Sequence, residues 1–223
     1  MRTAFKLGVF LLGIAALVPA PSRAADQNVP EGFTSLFNGK DLTGWKATGN
    51  MGQWAAEPGL IVCKGGGGGW LLTEKEFGDF EIRAEYRWEK TGGNSGVAVR
   101  TPAKGDPAYV GMEIQLIDDE NWDKIHGGKL QDWQHTGAIY NVQPPKLQNN
   151  KPIGEWNTVK IVAQGRKVTV ELNGKELVNA NLDDYKDKND KHPGLLREKG
   201  HTGFQSHDGR VEFKNIYLKE LTK

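Results

Sequence analysis

The sequence predicts an all-β sandwich of two antiparallel sheets, a jelly roll. Three observations carry this: many short runs that alternate apolar and polar residues, turns rich in glycine (29 in 223 residues), and no stretch with a sustained helical period.

The elements follow in order. Residues 1–24 have the layout of a secretory signal. Arg2 and Lys6 precede an apolar run from Leu7 to Val18, and Ser22-Arg23-Ala24 is a small-x-small cleavage site. Residues 25–223 then form a single domain, and its expected location is the periplasm or the cell exterior. Gly32–Phe37 reads as a first strand. Trp54–Ala56 and Gly59–Cys63 pair around Pro58-Gly59, and Gly65–Gly69 is a flexible hairpin loop. Phe80–Trp88 is the clearest strand, with Phe80, Ile82, Ala84, Tyr86 and Trp88 on the inward face. Val97–Arg100 is a short apolar strand. Gly111–Asp119 follows, with Met112, Ile114 and Leu116 on one face and Glu113, Gln115 and Ile117 on the other. Residues 119–134 read as a long loop, Thr136–Tyr140 as a short strand. Trp156–Ala163 and Lys167–Leu172 are strands, and Asn173-Gly174 turns tightly into Lys175–Val178. Gly203–His207 and Val211–Leu218 close the chain as a hairpin around Asp208-Gly209.

Composition narrows the function classes. Removing residues 1–24 takes the formal net charge from +1 to about −2. That balance points away from nucleic acid and from an anionic membrane surface. Cys63 is the only cysteine, so the exported domain relies on its core rather than on a disulfide. Seven tryptophans with many glycines in a nearly neutral exported chain fit a carbohydrate-binding surface, where sugar C–H faces stack on rings.

Motifs spread along the chain resemble the DUF1080 family, the 3-keto-disaccharide hydrolase domain. They are residues 33–45 (FTSLFNGKDLTGW), Phe77–Phe80, Asn94-Ser95-Gly96 with Arg100, residues 111–118, Thr136–Tyr140, Gly154–Asn157, Leu172-Asn173-Gly174, Gly203–His207 and Val211–Ile216. Lys214 departs from the arginine usual there. The resemblance implies a concanavalin A-like jelly roll and action on glycosides already oxidised to a ketone at C3.

Such chemistry needs a base at C2, a stabiliser for the C3 oxyanion, and an acid near the leaving oxygen. Glu113 and His207 are the candidates for base and acid, in either order, with Arg100 stabilising the enolate or orienting Glu113. Gln115, Asp118, Asn94, Tyr140 and Gln205 are the candidates for binding sugar hydroxyls. No cofactor is expected. Convergence of Glu113, Asp118 and His207 on a divalent ion is a second possibility, and Histidines 126, 135, 192 and 201 read as solvated loop residues. Two rival functions stand beside this one. A β-glucanase-like glycosidase is disfavoured because Gln115 occupies the place of a middle acid. A lectin-like module without catalysis would bind sugar and turn nothing over.

Overall fold

The computed structural model describes residues 29–222, so the signal segment lies outside the described residues. Thirteen strands dominate it: β1 Thr34–Ser35, β2 Trp45–Ala47, β3 Trp54–Glu57, β4 Leu60–Cys63, β5 Trp70–Thr73, β6 Phe80–Trp88, β7 Asn94–Thr101, β8 Met112–Ile117, β9 Asn157–Gln164, β10 Lys167–Leu172, β11 Lys175–Asn181, β12 His201–Gln205 and β13 Val211–Glu220. Two short helices, α1 Pro107–Val110 and α2 Trp122–His126, flank β8.

The strands form two antiparallel sheets packed face to face. The larger runs β11-β10-β9-β6-β13-β4-β3 with β1 beside β13; the smaller runs β2-β5-β12-β7-β8. The core between them is built by alternation. In β6 every second residue, from Phe80 to Trp88, is buried because only one pleat face meets the other sheet. Phe204 of β12 stacks on Phe213 of β13 with centroids 4.0 Å apart, which joins the two sheets at their centre. Four of the seven tryptophans, Trp45, Trp54, Trp70 and Trp88, are buried. The tryptophan surplus therefore serves packing more than a sugar-stacking surface. Full burial of one such large apolar side chain contributes about 1.5–3 kcal/mol.

Local turn chemistry is borne out at Asn173-Gly174, where both residues adopt positive φ (51° and 79°), the geometry of a two-residue hairpin turn. It fails at Asp208-Gly209. Here β12 pairs with β5 and β7 while β13 pairs with β6 and β4, so the chain crosses between sheets instead of folding back as a hairpin. The first strand is shorter than expected, only Thr34–Ser35. Residues 119–134 include α2 and a 3-10 turn at Asp132–Gln134. Residues 136–140 cover the open edge of β8 through the Gly137 N–H to Gln115 O (2.8 Å), Gln115 N–H to Ala138 O (3.0 Å) and Tyr140 N–H to Glu113 O (2.9 Å) bonds. An edge closed in this way offers no template for a further strand.

Candidate active site

The strand pattern sends Met112, Ile114 and Leu116 into the core and Glu113 and Gln115 to the opposite face of the smaller sheet. All are buried. Register lays Leu72, Gly203, Ala98 and Glu113 in one row across β5, β12, β7 and β8. Gly96, on the neighbouring strand, leaves the room the Glu113 carboxyl occupies, since a Cβ there would lie 2.1 Å from Glu113 Oε1.

The cavity beside Glu113 holds about 190 Å³ and is lined by Asn94, Asp106, Ala108, Tyr109, Glu113, Gln115, Tyr140, Gln205 and His207. It is smaller than the roughly 300–1,000 Å³ of drug-sized pockets. A hollow of about 500 Å³ beside β1 is larger, but its Lys75 and Glu220 are exposed and paired with each other (2.5 Å). Chemistry therefore points to the smaller cavity.

No hydrogen bond or cation supports the Glu113 carboxyl among the described residues. Burial, with the negative charge of Asp106 second, pushes it well above the ordinary carboxylate range. Asp106 is the N-cap of α1, where its Oδ1 accepts from the Ala108 N–H at 3.1 Å. Gln115 Nε2 donates to Asn94 Oδ1 (2.8 Å) and Ser95 O (3.0 Å), which fixes both amides on the cavity floor. Gln205 Oε1 is buried and has no partner, so an O–H or N–H donor from a ligand would satisfy it. The Tyr140 ring stands edge-on to Trp133 (centroids 4.9 Å) and to Tyr109 (6.4 Å). Burial first, then Tyr109 and Glu113, raises its phenol pKa, so it remains an O–H donor at neutral pH. His207 is exposed at the rim with Nδ1 2.8 Å from Asp208 Oδ2. Its carbonyl accepts from the Gly66 N–H at 2.8 Å. Gly65 packs so tightly on this loop that a Cβ would sit 2.4 Å from Gly209 O. The glycine run is thus a close-packing device for the His207 loop as well as a turn.

Six of the residues singled out from sequence meet at this cavity: Glu113, His207, Gln115, Asn94, Tyr140 and Gln205. Arg100 does not. It has φ 50°, at a point where β7 gains a residue against β12, and such a bulge re-aims the side chain. Its buried guanidinium donates to Gly78 O (2.9 Å), Gly165 O (2.7 Å) and Asp79 Oδ1 (2.8 Å), away from Glu113. Asp118 is also elsewhere, accepting from the Gly92 N–H (2.8 Å) and Asn121 Nδ2 (3.0 Å). The donor set suggested for a divalent ion, Glu113 with Asp118 and His207, therefore does not converge. Among the described residues no three His, Cys, Asp or Glu side chains gather in a metal-ligating group. Asp106 and Tyr109 were missed by sequence reasoning. The available signal was Asp106-Pro107, an N-cap residue followed by proline at the first helical position.

Fold and cavity together define a lectin-like jelly roll with one buried acid on the polar face of its smaller sheet. The chain belongs to the 3-keto-alpha-glucoside-1,2-lyase-like domain family, which it matches over residues 32–219. It is 29% identical over 231 residues to the 3-keto-disaccharide hydrolase of Bacteroides thetaiotaomicron, covering 86% of this chain and 79% of that protein. A crystal structure of a candidate glycosyl hydrolase from Parabacteroides distasonis is 33% identical, with TM-score 0.74 over 86% of this chain and 95% of that one. The carbohydrate-binding module CBM66 of Bacillus subtilis shares the fold alone, at 13% identity and TM-score 0.55, over 79% of this chain and 96% of that one.

Proposed function

We propose that this protein cleaves glycosides whose sugar carries a ketone at C3, with Glu113 as the base. The observation that carries the reading is a buried carboxyl, without a hydrogen-bonding or cationic partner among the described residues and raised in proton affinity by burial, in a cavity lined by amides and phenols. A C3 ketone acidifies the C2 proton. Glu113 takes that proton, the electron pair moves toward the C3 oxygen, and the enolate accepts a hydrogen bond from the Tyr140 hydroxyl. The pair then forms the C1–C2 double bond as the C1–O bond breaks. His207, oriented by Asp208, gives the leaving oxygen its proton. Addition of water, hydroxide to C1 and proton to C2, completes net hydrolysis.

A base acts best when its pKa lies near the working pH. Raising Glu113 out of the carboxylate range is therefore the change that abstraction beside a ketone calls for. Asn94, Gln115 and Gln205 are assigned to sugar hydroxyls. The names of the relatives agree with this substrate class. The signal read in residues 1–24 makes the periplasm or cell exterior the proposed place of action.

The test offers wild type an aryl 3-keto-glucoside and its unoxidised counterpart and follows aryl alcohol release. The reading predicts release from the oxidised substrate alone. Cleavage of the unoxidised one would favour a two-carboxylate mechanism with Asp106 as second acid. Binding without release from either would favour a lectin-like module.

A further inference from the structure

The walls of the Glu113 cavity come from separate chain segments, and one buried side chain touches two of them. His192 is 2% exposed, not solvated as the sequence suggested. Its ring lies against Tyr109 with centroids 4.9 Å apart and planes 30° apart. Its Nε2 sits 3.1 Å from Asn141 Nδ2. An amide N–H donates, so Nε2 is the acceptor and the proton resides on Nδ1. Burial holds the ring neutral, and Lys188 and Lys191 act in the same direction.

The segment bearing His192 is itself clamped. Its N–H donates to Lys188 O at 2.8 Å, and Lys188 Nζ reaches Asn141 O at 3.3 Å. Two residues on, Gly194 packs against the start of β8 so closely that a Cβ would lie 1.8 Å from Gly111 O. Asn141, next to Tyr140, holds a left-handed φ of 55°. His192 therefore stands between the α1 corner, which carries Tyr109, and the turn that carries Tyr140.

We propose that His192 is a positioning residue, setting the spacing of the Tyr109 and Tyr140 walls that face Glu113. Its catalytic consequence rests on the function proposed above; its structural consequence does not. The experiment uses His192→Phe, which keeps a ring on Tyr109 but removes the acceptor, and His192→Gln, which restores an acceptor. Each is measured three ways: kcat and KM on the aryl 3-keto-glucoside, 13C-tyrosine NMR with Tyr109 and Tyr140 assigned by Tyr→Phe variants, and thermal unfolding.

For His192→Phe the expected result is displaced Tyr140 and Tyr109 resonances and a fall in kcat/KM of about tenfold or more well below the unfolding temperature, since small misplacements in a site are costly. His192→Gln recovers part of both. Unchanged tyrosine resonances and unchanged kcat/KM with only a lower Tm would overturn the proposal. If His192→Phe does not fold, Asn141→Gly removes the same hydrogen bond while tolerating positive φ, and is read the same way. If wild type is inert on the keto substrate, the proposed function fails, and the tyrosine spectra alone decide the role of His192.

Discussion

The Glu113 carboxyl lies across Gly96 of the neighbouring strand, in space that a single methyl group would fill. One glycine thus sets where the one buried acid of the cavity can rest. Gly96→Ala is expected to displace the carboxyl and reduce kcat/KM on a 3-keto-glycoside by about 10²–10⁴-fold, the scale of a lost general base. The overpacking costs about 1–3 kcal/mol. Steady-state kinetics and denaturant unfolding separate the two effects.

Glu113→Gln should exchange function for stability. The folded-state pKa of Glu113 is raised above its unfolded value, so its contribution is fully present below the unfolded pKa and is lost as pH rises through the folded one. At neutral pH the wild type bears the burial of an acid that the unfolded chain would ionise. The amide has no such cost. Glu113→Gln is expected to unfold at a higher temperature than wild type at pH 7, with the difference shrinking toward pH 4, while turnover falls by about 10²-fold or more. Calorimetry across that pH range checks the sign.

Among the described residues Asp106 is the charge that raises Glu113 further; the other titratable groups lining the cavity are Tyr109, Tyr140 and His207. Asparagine caps a helix about as well as aspartate, so Asp106→Asn keeps α1 and removes the charge. The acidic limb of the pH–kcat/KM profile should then move to lower pH, because Glu113 loses its proton more readily. Asp106→Ala should show the same displacement together with about 1 kcal/mol of lost stability.

Arg100 predicts the opposite kind of outcome. Its guanidinium is fully buried and paired with Asp79. Arg100→Met leaves Gly78 O and Gly165 O without the guanidinium donor and Asp79 with only the Gly165 N–H (3.0 Å). A destabilisation of about 3–5 kcal/mol is expected, with the kcat/KM of the remaining folded protein near wild type. Urea unfolding and active-site-normalised kinetics test this together.

These residues also show what was legible in the sequence. Alternation fixed the faces of β6 and β8, because a buried pleat tolerates no other pattern. It found Glu113 and Gln115 for the same reason. Arg100, expected to reach the site from the end of a short apolar strand, turns away because a bulge changes parity there and no nearby residue announces it. The Asp208-Gly209 turn is present, yet a turn does not say which sheet the next strand joins. Asp106 and Tyr109 escape notice, and His192 reads as solvated, because they belong to a one-turn helix and to the start of a 3-10 turn, which are too short to show a period. Their roles come from long-range packing, such as Gly194 on Gly111, which has no local signature.

The central claim is that cleavage begins with removal of the C2 proton by Glu113. The direct measurement is NMR of the sugar released from a 3-keto-glycoside in D2O, with no-enzyme and Glu113→Gln controls for spontaneous exchange. The account predicts deuterium at C2 of the sugar released by wild type, slower release from a substrate deuterated at C2, and neither rapid release nor enzyme-dependent exchange with Glu113→Gln. Wild-type release of sugar that retains its original C2 hydrogen, with no slowing on the C2-deuterated substrate, would contradict it.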